Sequence, residues 1–223
     1  MAKKRLIRLL VTLVPALAFA ALVAWWLGAP PSSRPAASAS STGAAPASGA
    51  GGQIVPGVAV GGPFTLVDQS GKTVTEKSYA GFWRLMFFGY TFCPDICPTE
   101  LQVMTQAMDQ LGAEGDKVQP IFVSVDPGRD TPQQLSDYVA QFHPRLVGLT
   151  GTAAQVAAAT RAWRVYAAKV AGDDPDNYLM DHSTYVYLMD PDNHLATIFA
   201  RGTTAEDMVK GIREAIAKAP AGK

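Results

Sequence analysis

The sequence predicts an α/β fold in which helices pack against a central mixed sheet, and three observations support this prediction. Apolar segments with the length of buried strands, such as residues 84–89 and 118–125, alternate with amphipathic segments of helical period. Turn signals rich in glycine, proline and asparagine separate these segments. The chain ends on a hairpin followed by a helix. This order is typical of an α/β sandwich.

The elements follow in order from their turn and capping signals. A first hairpin surrounds Gln69-Ser70-Gly71, and the next strand, over residues 84–89, leads into a cysteine motif. Thr131, Thr152 and Thr204 each precede a helical segment and are predicted N-caps. The predicted helices cover residues 98–111, 132–142, 153–163 and 205–218, and the later strands cover residues 118–125, 146–149, 165–170, 184–189 and 195–200. A strand, a cysteine motif and a helix in succession make this the order of a thioredoxin-like fold with an added N-terminal hairpin.

The N-terminal segment predicts a membrane anchor. Residues 1–8 form a basic cytoplasmic N-terminus, and the uncharged apolar run of residues 9–27 is about long enough to cross a bilayer as one transmembrane helix. The basic flank predicts a single-pass protein of the inner membrane whose C-terminal domain lies on the periplasmic side. The alternative is a cleaved signal peptide, for which Ala18-Phe19-Ala20 resembles a cleavage site. The apolar run continues past that site to Leu27, which favours an uncleaved anchor.

Composition divides the rest of the chain into a linker and one domain. Residues 28–56 are rich in Ala, Ser, Gly and Pro and carry a single charge, Arg34. They predict a flexible linker because they cannot bury enough surface to offset the entropy of ordering. Residues 57–223 are the predicted globular domain. The formal net charge is zero and no basic stripe runs through the domain, which argues against nucleic acid as a partner.

The two cysteines, Cys93 and Cys97, lie between a buried strand and a helix. Their spacing of four would place both side chains on one face of a helix. A helix N-terminus stabilises thiolate through its partial positive charge and unpaired N–H groups, which predicts a lowered pKa for at least one cysteine. Thiolate is the form that binds soft metal ions such as Cu(I) and attacks disulfides. The alternative is a structural disulfide, although so short a bridge closes little chain.

Two thiolates make an incomplete metal site, so a third ligand is expected from elsewhere, and histidine suits copper. The chain has three histidines. His182 comes just before a late strand, where a loop of a thioredoxin-like sheet packs against the cysteine motif. His143 is expected to face solvent, and His194 lies in a hairpin turn away from the motif. This placement favours His182 as the ligand over the alternative of an ordinary structural histidine.

Three segments resemble the signatures of the Sco/SenC family. Residues 88–98, FGYTFCPDICP, closely resemble its cysteine motif. Residues 123–132, VSVDPGRDTP, resemble its second signature, and residues 181–183, DHS, resemble its third. The likeness covers residues 58–217 in the order of the family, and an anchor followed by a linker also matches the family pattern.

The resemblance implies a copper metallochaperone, an assembly factor for the dinuclear copper centre of cytochrome c oxidase subunit II. It implies copper, as Cu(I) or Cu(II), bound by Cys93, Cys97 and His182, with the cysteines also acting as a redox-active pair that can form a disulfide bond. The expected partners are oxidase subunit II, a periplasmic copper donor and, through the anchor, the membrane. Two carboxylates are candidates for supporting roles: Asp126 near the copper, and Asp181 as a hydrogen-bond partner that orients His182.

A second function of a different class would use the same cysteines. A thiol–disulfide oxidoreductase or a thiol peroxidase needs Cys93 and Cys97 but not His182. The Cys-x-x-Cys spacing of common thioredoxins is absent, which makes this alternative weaker. An assembly factor would not be a turnover enzyme, and the sequence leaves the possible oxidoreductase activity open.

The other residues near these motifs have ordinary structural interpretations. Asp95 is expected to be solvated, and Asp130 is expected to be a loop or capping acid. Four residues are expected to pack rather than to bind metal or transfer electrons: Met86, Tyr90, Phe92 and Met180.

Overall fold

The computed structural model describes residues 60–170 and 177–219, in which short strands alternate with four α-helices. The strands are β1 (Thr65–Asp68), β2 (Thr73–Thr75), β3 (Trp83–Gly89), β4 (Val118–Ser124), β5 (Val147–Thr150), β6 (Ala167–Lys169), β7 (Met180–His182), β8 (Val186–Met189) and β9 (Leu195–Phe199). The α-helices are α1 (Ile96–Leu111), α2 (Pro132–Val139), α3 (Ala153–Ala162) and α4 (Ala205–Lys218). Two 3-10 segments, Glu76–Tyr79 and Gly112–Lys117, follow β2 and α1.

The main sheet is mixed, as predicted, with the strand order β2-β1-β5-β4-β3-β8-β9. β4 runs parallel to both β3 and β5, whereas β8 runs antiparallel to β3. β1 and β2 form the N-terminal hairpin, which joins the sheet through antiparallel pairing of β1 with β5. Every residue of β3 is buried, as its continuous apolar run predicts. The cysteine motif follows directly after the C-terminal end of this buried strand.

The predicted threonine caps are confirmed. Thr131 accepts a hydrogen bond from the backbone N–H of Gln134, and Thr152 accepts one from that of Gln155. Thr204 caps α4 in the same way. Each threonine oxygen takes up one of the N–H groups that the first turn of a helix leaves without a partner.

Several element boundaries differ from the prediction by one to three residues, and one strand was not predicted. α1 begins at Ile96 rather than at residue 98, so Pro98 is the third residue of its first turn. α2 ends at Val139 rather than at residue 142. β7, which pairs antiparallel with β6 in a separate two-stranded sheet, was not predicted. Its three residues are too few to show the period-2 alternation by which a strand is detected in sequence.

The predicted anchor over residues 9–27 and the linker over residues 28–56 lie outside the described residues. Within residues 60–170 and 177–219, the helices lack the length and apolar character that crossing a bilayer requires.

A buried arginine joins the central strand to the last hairpin. Arg84 of β3 is 1% exposed. Its Nη1 donates to Asn193 Oδ1 at 2.9 Å, and its Nη2 donates to the carbonyl oxygen of Asp190. Asn193 has a φ of 72°, a left-handed conformation that asparagine tolerates better than most residues. Arg84 therefore fixes the turn between β8 and β9.

We expect Arg84→Met to lower the free energy of unfolding by about 1–3 kcal/mol, because it removes two partly buried hydrogen bonds between the central strand and the turn. Urea unfolding followed by circular dichroism measures the change. Arg161→Met is the matched control, because Arg161 is an exposed residue of α3. Equal losses in the two variants would show that Arg84 does not stabilise the turn.

Candidate metal centre

A turn, rather than a helical face, brings the two cysteines together. Cys93 lies before α1, and its N–H donates to the Tyr90 carbonyl at 3.2 Å. Asp95 is the N-cap of α1, and Cys97 is the second residue of that helix. The Cys97 N–H donates to Cys93 Sγ at 3.4 Å. The expectation that both side chains share a helical face is therefore wrong for Cys93, but its sulfur does lie at the helix N-terminus, where thiolate is stabilised.

His182 ends β7 and points its ring at the cysteines. Its Nε2 lies 3.4 Å from Cys97 Sγ, and its Nδ1 lies 2.9 Å from the carbonyl oxygen of Ser183. A carbonyl oxygen only accepts hydrogen bonds, so Nδ1 carries a proton and donates to Ser183, and Nε2 is the ring nitrogen that faces the sulfur. The ring also makes edge contacts with Tyr90 and Phe87, at centroid distances of 5.8 and 6.1 Å. The ring orientation is thus fixed by a backbone acceptor and by aromatic packing.

The three side chains could hold one metal ion. Cys93 Sγ, Cys97 Sγ and a nitrogen of His182 all lie within 4.8 Å of one another. At the metal–ligand distances of about 2.0–2.3 Å known for nitrogen and sulfur on zinc, a trigonal site would separate its donors by about 3.5–4.0 Å. The observed spacing requires only a small contraction around the ion. Two sulfurs and one imidazole form a soft donor set of the kind that copper prefers.

The two cysteines have opposite electrostatic environments. The pKa of Cys93 is lowered chiefly because Cys97 donates a hydrogen bond to its sulfur, with a further contribution from His182 and from the N–H groups of Cys97 and Asp95. The pKa of Cys97 is raised, because its proton is held by Cys93 and because the side chain is 0% exposed. The metal-free pair therefore consists of a half-buried thiolate at Cys93 and a buried thiol at Cys97.

A cavity of about 370 Å³ opens beside the donors and gives access to Cys93 and His182. Its walls are mainly apolar, with Tyr90, Pro94, Ile96, Val170, Leu179 and Met180 forming much of the surface; Asp95, Asp181 and Thr184 also line it. A bound ion could therefore be approached by a ligand from another molecule without unfolding of the domain.

The two carboxylates predicted to support the site do not hydrogen-bond to the three donors. Asp126 is 5% exposed, but its carboxylate binds Arg129 and Tyr178 rather than any of the three donors. Asp181 is exposed, and the ring nitrogen that it was expected to orient bonds instead to the Ser183 carbonyl. Neighbouring side chains of a β-strand point to opposite faces, so Asp181 does not hydrogen-bond to the His182 ring, although both residues line the cavity beside Cys93.

The two remaining histidines are not part of the cluster. His194 is exposed in the β8–β9 turn, as predicted. The prediction that His143 faces solvent is wrong, because its side chain is only 13% exposed and its Nδ1 accepts the N–H of Arg145 at 3.1 Å. Partial burial lowers the pKa of His143.

Residues 90–97, which carry both cysteines and are called the cysteine turn below, are supported by Asp130 in a way that the sequence did not indicate. Its side chain is 0% exposed, and its carboxylate accepts the N–H and the hydroxyl of Thr91 and the hydroxyl of Ser124. Burial raises the pKa of Asp130, and these hydrogen bonds oppose the rise. Asp130 therefore ties the cysteine turn after β3 to the loop after β4. Its position just before the predicted N-cap Thr131 had suggested an ordinary loop acid instead.

The four expected packing residues divide between core and surface. Met86 and Tyr90 are buried and Met180 is partly buried. Phe92 is 50% exposed, so its interpretation as a packing residue is only partly correct.

Gly89 leaves the space that Cys97 occupies. A Cβ atom at Gly89 would lie 2.8 Å from Cys97 Sγ and 2.9 Å from a ring carbon of Phe122. We expect Gly89→Ala to displace the sulfur and to lower the free energy of unfolding by about 1–3 kcal/mol, as overpacking of a dense core does. Urea unfolding tests the change. Gly62→Ala is the control, since its Cβ would meet Ala162 at 3.4 Å, an ordinary contact. Equal stability of the two variants would contradict the inference that Gly89 is needed to make room for Cys97 Sγ.

The thiolate at Cys93 should be visible in the pH dependence of alkylation. Iodoacetamide reacts with thiolate, so the rate for reduced protein should fall only when the pH drops below the lowered pKa of Cys93, well under the value of about 8.5 for an ordinary thiol. Because Cys97 is the main cause of the lowering, Cys97→Ala should move the midpoint upward. Mass spectrometry of the labelled Cys93 peptide measures both rates. A midpoint that Cys97→Ala leaves unchanged would contradict this account.

Comparison with known proteins identifies the protein family that this chain matches. A family model described as SCO1/SenC matches residues 53–217. The Arabidopsis thaliana protein named Protein SCO1 homolog 1, mitochondrial, is 43% identical over 155 residues, which are 69% of this chain and 46% of that protein. The chain thus spans about half the length of this relative.

Solved structures show the same fold. The crystal structure of Arabidopsis thaliana ScoI with copper bound superposes with a TM-score of 0.69 and 42% identity, covering 72% of this chain and 100% of that one. BsSco, described as a member of the Sco family of cytochrome c oxidase assembly proteins with a disulfide switch, has a TM-score of 0.57 and 28% identity, covering 74% of this chain and 98% of that one. With its family match and its thioredoxin-like mixed sheet, the chain belongs to the SCO1/SenC family.

Proposed function

We propose that this chain binds copper through Cys93, Cys97 and His182 and acts as an assembly factor for the dinuclear copper centre of cytochrome c oxidase subunit II. The convergence of the three donor atoms within 4.8 Å carries the proposal. The copper-bound ScoI relative and the description of BsSco as an oxidase assembly protein support the choice of metal and of partner.

The donor set suits an ion that is carried and then released. Two thiolates and a neutral imidazole give a net charge of about −1 with Cu(I) and about 0 with Cu(II), so either oxidation state is accommodated without a large buried charge. Copper is here the cargo, and the protein must lose it to the target. The apolar cavity beside Cys93 and His182 offers a path along which ligands of a partner could replace these side chains.

The setting of the domain is part of the proposal. Residues 9–27 would anchor the chain in the inner membrane, and residues 28–56 would hold the domain of residues 57–223 on the periplasmic side, near both a copper donor and the oxidase. The basic flank before the apolar run and the absence of charge within it support this topology.

A second function is favoured by the thiolate–thiol pair. The Cys93 thiolate can attack a disulfide of a partner and form a mixed disulfide, with one partner sulfur leaving as thiolate. Cys97 then loses its proton and attacks Cys93 Sγ, which releases the second partner sulfur and closes the Cys93–Cys97 disulfide. Two electrons pass to the partner. Because metal and disulfide need the same sulfurs, the chain could reduce target cysteines before it delivers copper to them.

The two functions differ in their need for His182. We expect His182→Ala to weaken Cu(II) binding greatly and to leave disulfide exchange largely intact, because imidazole is a copper ligand but takes no part in the transfer of electrons between sulfurs. Competitive copper titration of the full chain in detergent, and stopped-flow reaction of the reduced chain with a disulfide substrate, measure the two properties.

His194→Ala is the matched control, since His194 is exposed and far from the donors in the fold. It should retain both properties. Unchanged Cu(II) affinity in His182→Ala would overturn the ligand assignment, and absence of copper binding with rapid disulfide exchange in the unsubstituted chain would favour the reductase function.

A further inference from the structure

A cluster that contains none of the three donors joins the segments that carry them. Arg129 and Asp126 lie in the loop between β4 and α2, and Tyr178 shortly precedes β7. Arg129 Nε donates to Asp126 Oδ2 at 2.6 Å, and Arg129 Nη1 donates to the Tyr178 carbonyl at 2.9 Å. The Tyr178 hydroxyl donates to Asp126 Oδ1 at 2.7 Å. Three hydrogen bonds therefore close a ring between the β4–α2 loop and the segment that leads to His182.

The same guanidinium contacts the residue beside Cys93. Arg129 Cζ lies 3.6 Å from the ring centroid of Tyr178 and 4.7 Å from that of Phe92. Such distances allow favourable cation–π contact with both rings. Phe92 immediately precedes Cys93, so Arg129 touches the cysteine turn on one side and the approach to His182 on the other. Phe92 is 50% exposed, so core packing does not explain its position. Its contact with Arg129 does.

Tyr178 carries the connection into the β6–β7 hairpin. Lys169 Nζ lies 3.4 Å from the Tyr178 ring centroid, and Lys169 of β6 pairs with Met180 of β7. The hairpin is not paired with the main sheet in the described part of the chain. Its position relative to the cysteines therefore depends on side-chain contacts, which include those of Arg129 with Tyr178 as well as the packing of the His182 ring on Phe87 and Tyr90.

The chemistry of this cluster calls for arginine. The planar guanidinium donates to a carboxylate and to a carbonyl while it stacks on aromatic rings, which a lysine ammonium cannot do at once. Asp126 is buried and neutralises the cation. Among the described residues, Arg129 Nη2 is buried without a hydrogen-bond partner, as is expected where aromatic faces surround a guanidinium.

We propose that Arg129 is a positioning residue. It couples the cysteine turn to the β6–β7 hairpin and thereby fixes the position of His182 Nε2 relative to the metal. The proposal rests on the proposed copper site. It makes Arg129 more important for Cu(II), which prefers nitrogen ligands such as imidazole, than for Cu(I), whose binding depends mainly on the soft thiolates.

The test compares Arg129→Ala with Arg161→Ala, a control at an exposed position of α3. In the full chain, Arg129→Ala should weaken Cu(II) binding by about tenfold or more, the usual effect of losing a residue that orients a metal ligand, with a smaller effect on Cu(I). Arg129→Lys should restore little of this. Because Arg129 acts through His182, adding Arg129→Ala to His182→Ala should cause little further loss of Cu(II) affinity.

Hydrogen exchange of the copper-free chain provides a second, metal-independent measurement. Arg129→Ala should increase exchange at the amides of β6 and β7 and leave β3 and β4 protected, whereas general destabilisation would affect all four strands. Additive losses of Cu(II) affinity in the double variant, or unchanged exchange in β6 and β7, would each overturn the proposal. If the unsubstituted chain binds no copper, the proposed function fails, and hydrogen exchange alone then decides whether Arg129 positions the hairpin.

Discussion

The approach of the Cys97 sulfur to both Cys93 and His182 is the constraint on which the rest of this structure depends. The parallel pairing of β3 with β4 brings the loops after both strands to one edge of the sheet, and the Val125 N–H extends that pairing to the Gly89 carbonyl at 2.8 Å. Gly89 leaves room for the sulfur, and Asp130 in the second loop holds the turn of the first through Thr91. Ligands in open α/β sheets commonly bind at this carboxyl edge of the strands.

Unequal burial gives the two cysteines different roles. Cys97 is fully buried and retains its proton, whereas Cys93 lies half-buried beside an apolar cavity and carries the negative charge. An incoming metal ion or disulfide would therefore meet Cys93 first, and Cys97 would become a ligand or nucleophile only after losing its proton. The same geometry serves metal binding and disulfide formation, which makes the two processes mutually exclusive at this pair of sulfurs.

Much of the fold could be predicted because its signals are local. The apolar run of β3 predicts a buried strand, the threonines predict helix N-termini, and the cysteine motif with the placement of His182 predicts that the three side chains converge. The orienting contacts could not be predicted, because they depend on long-range packing. Tyr178 and Asp126 are 52 residues apart in sequence, and Thr91 and Asp130 are 39 apart. The expected hydrogen bond between Asp181 and the His182 ring is replaced by one to the Ser183 carbonyl, because Asp181 and His182 are neighbours in a strand too short to detect from the sequence.

X-ray absorption spectroscopy of the Cu(I)-loaded chain tests the copper site most directly, because it counts the donor atoms around the metal. Binding by Cys93, Cys97 and His182 predicts one copper per chain with two sulfur neighbours and one nitrogen neighbour. Loss of one sulfur in Cys93→Ala and in Cys97→Ala would assign each donor to its residue. A copper environment with fewer than two sulfurs in the unsubstituted chain, or one that neither cysteine variant changes, would contradict a thiolate copper site at this edge of the sheet.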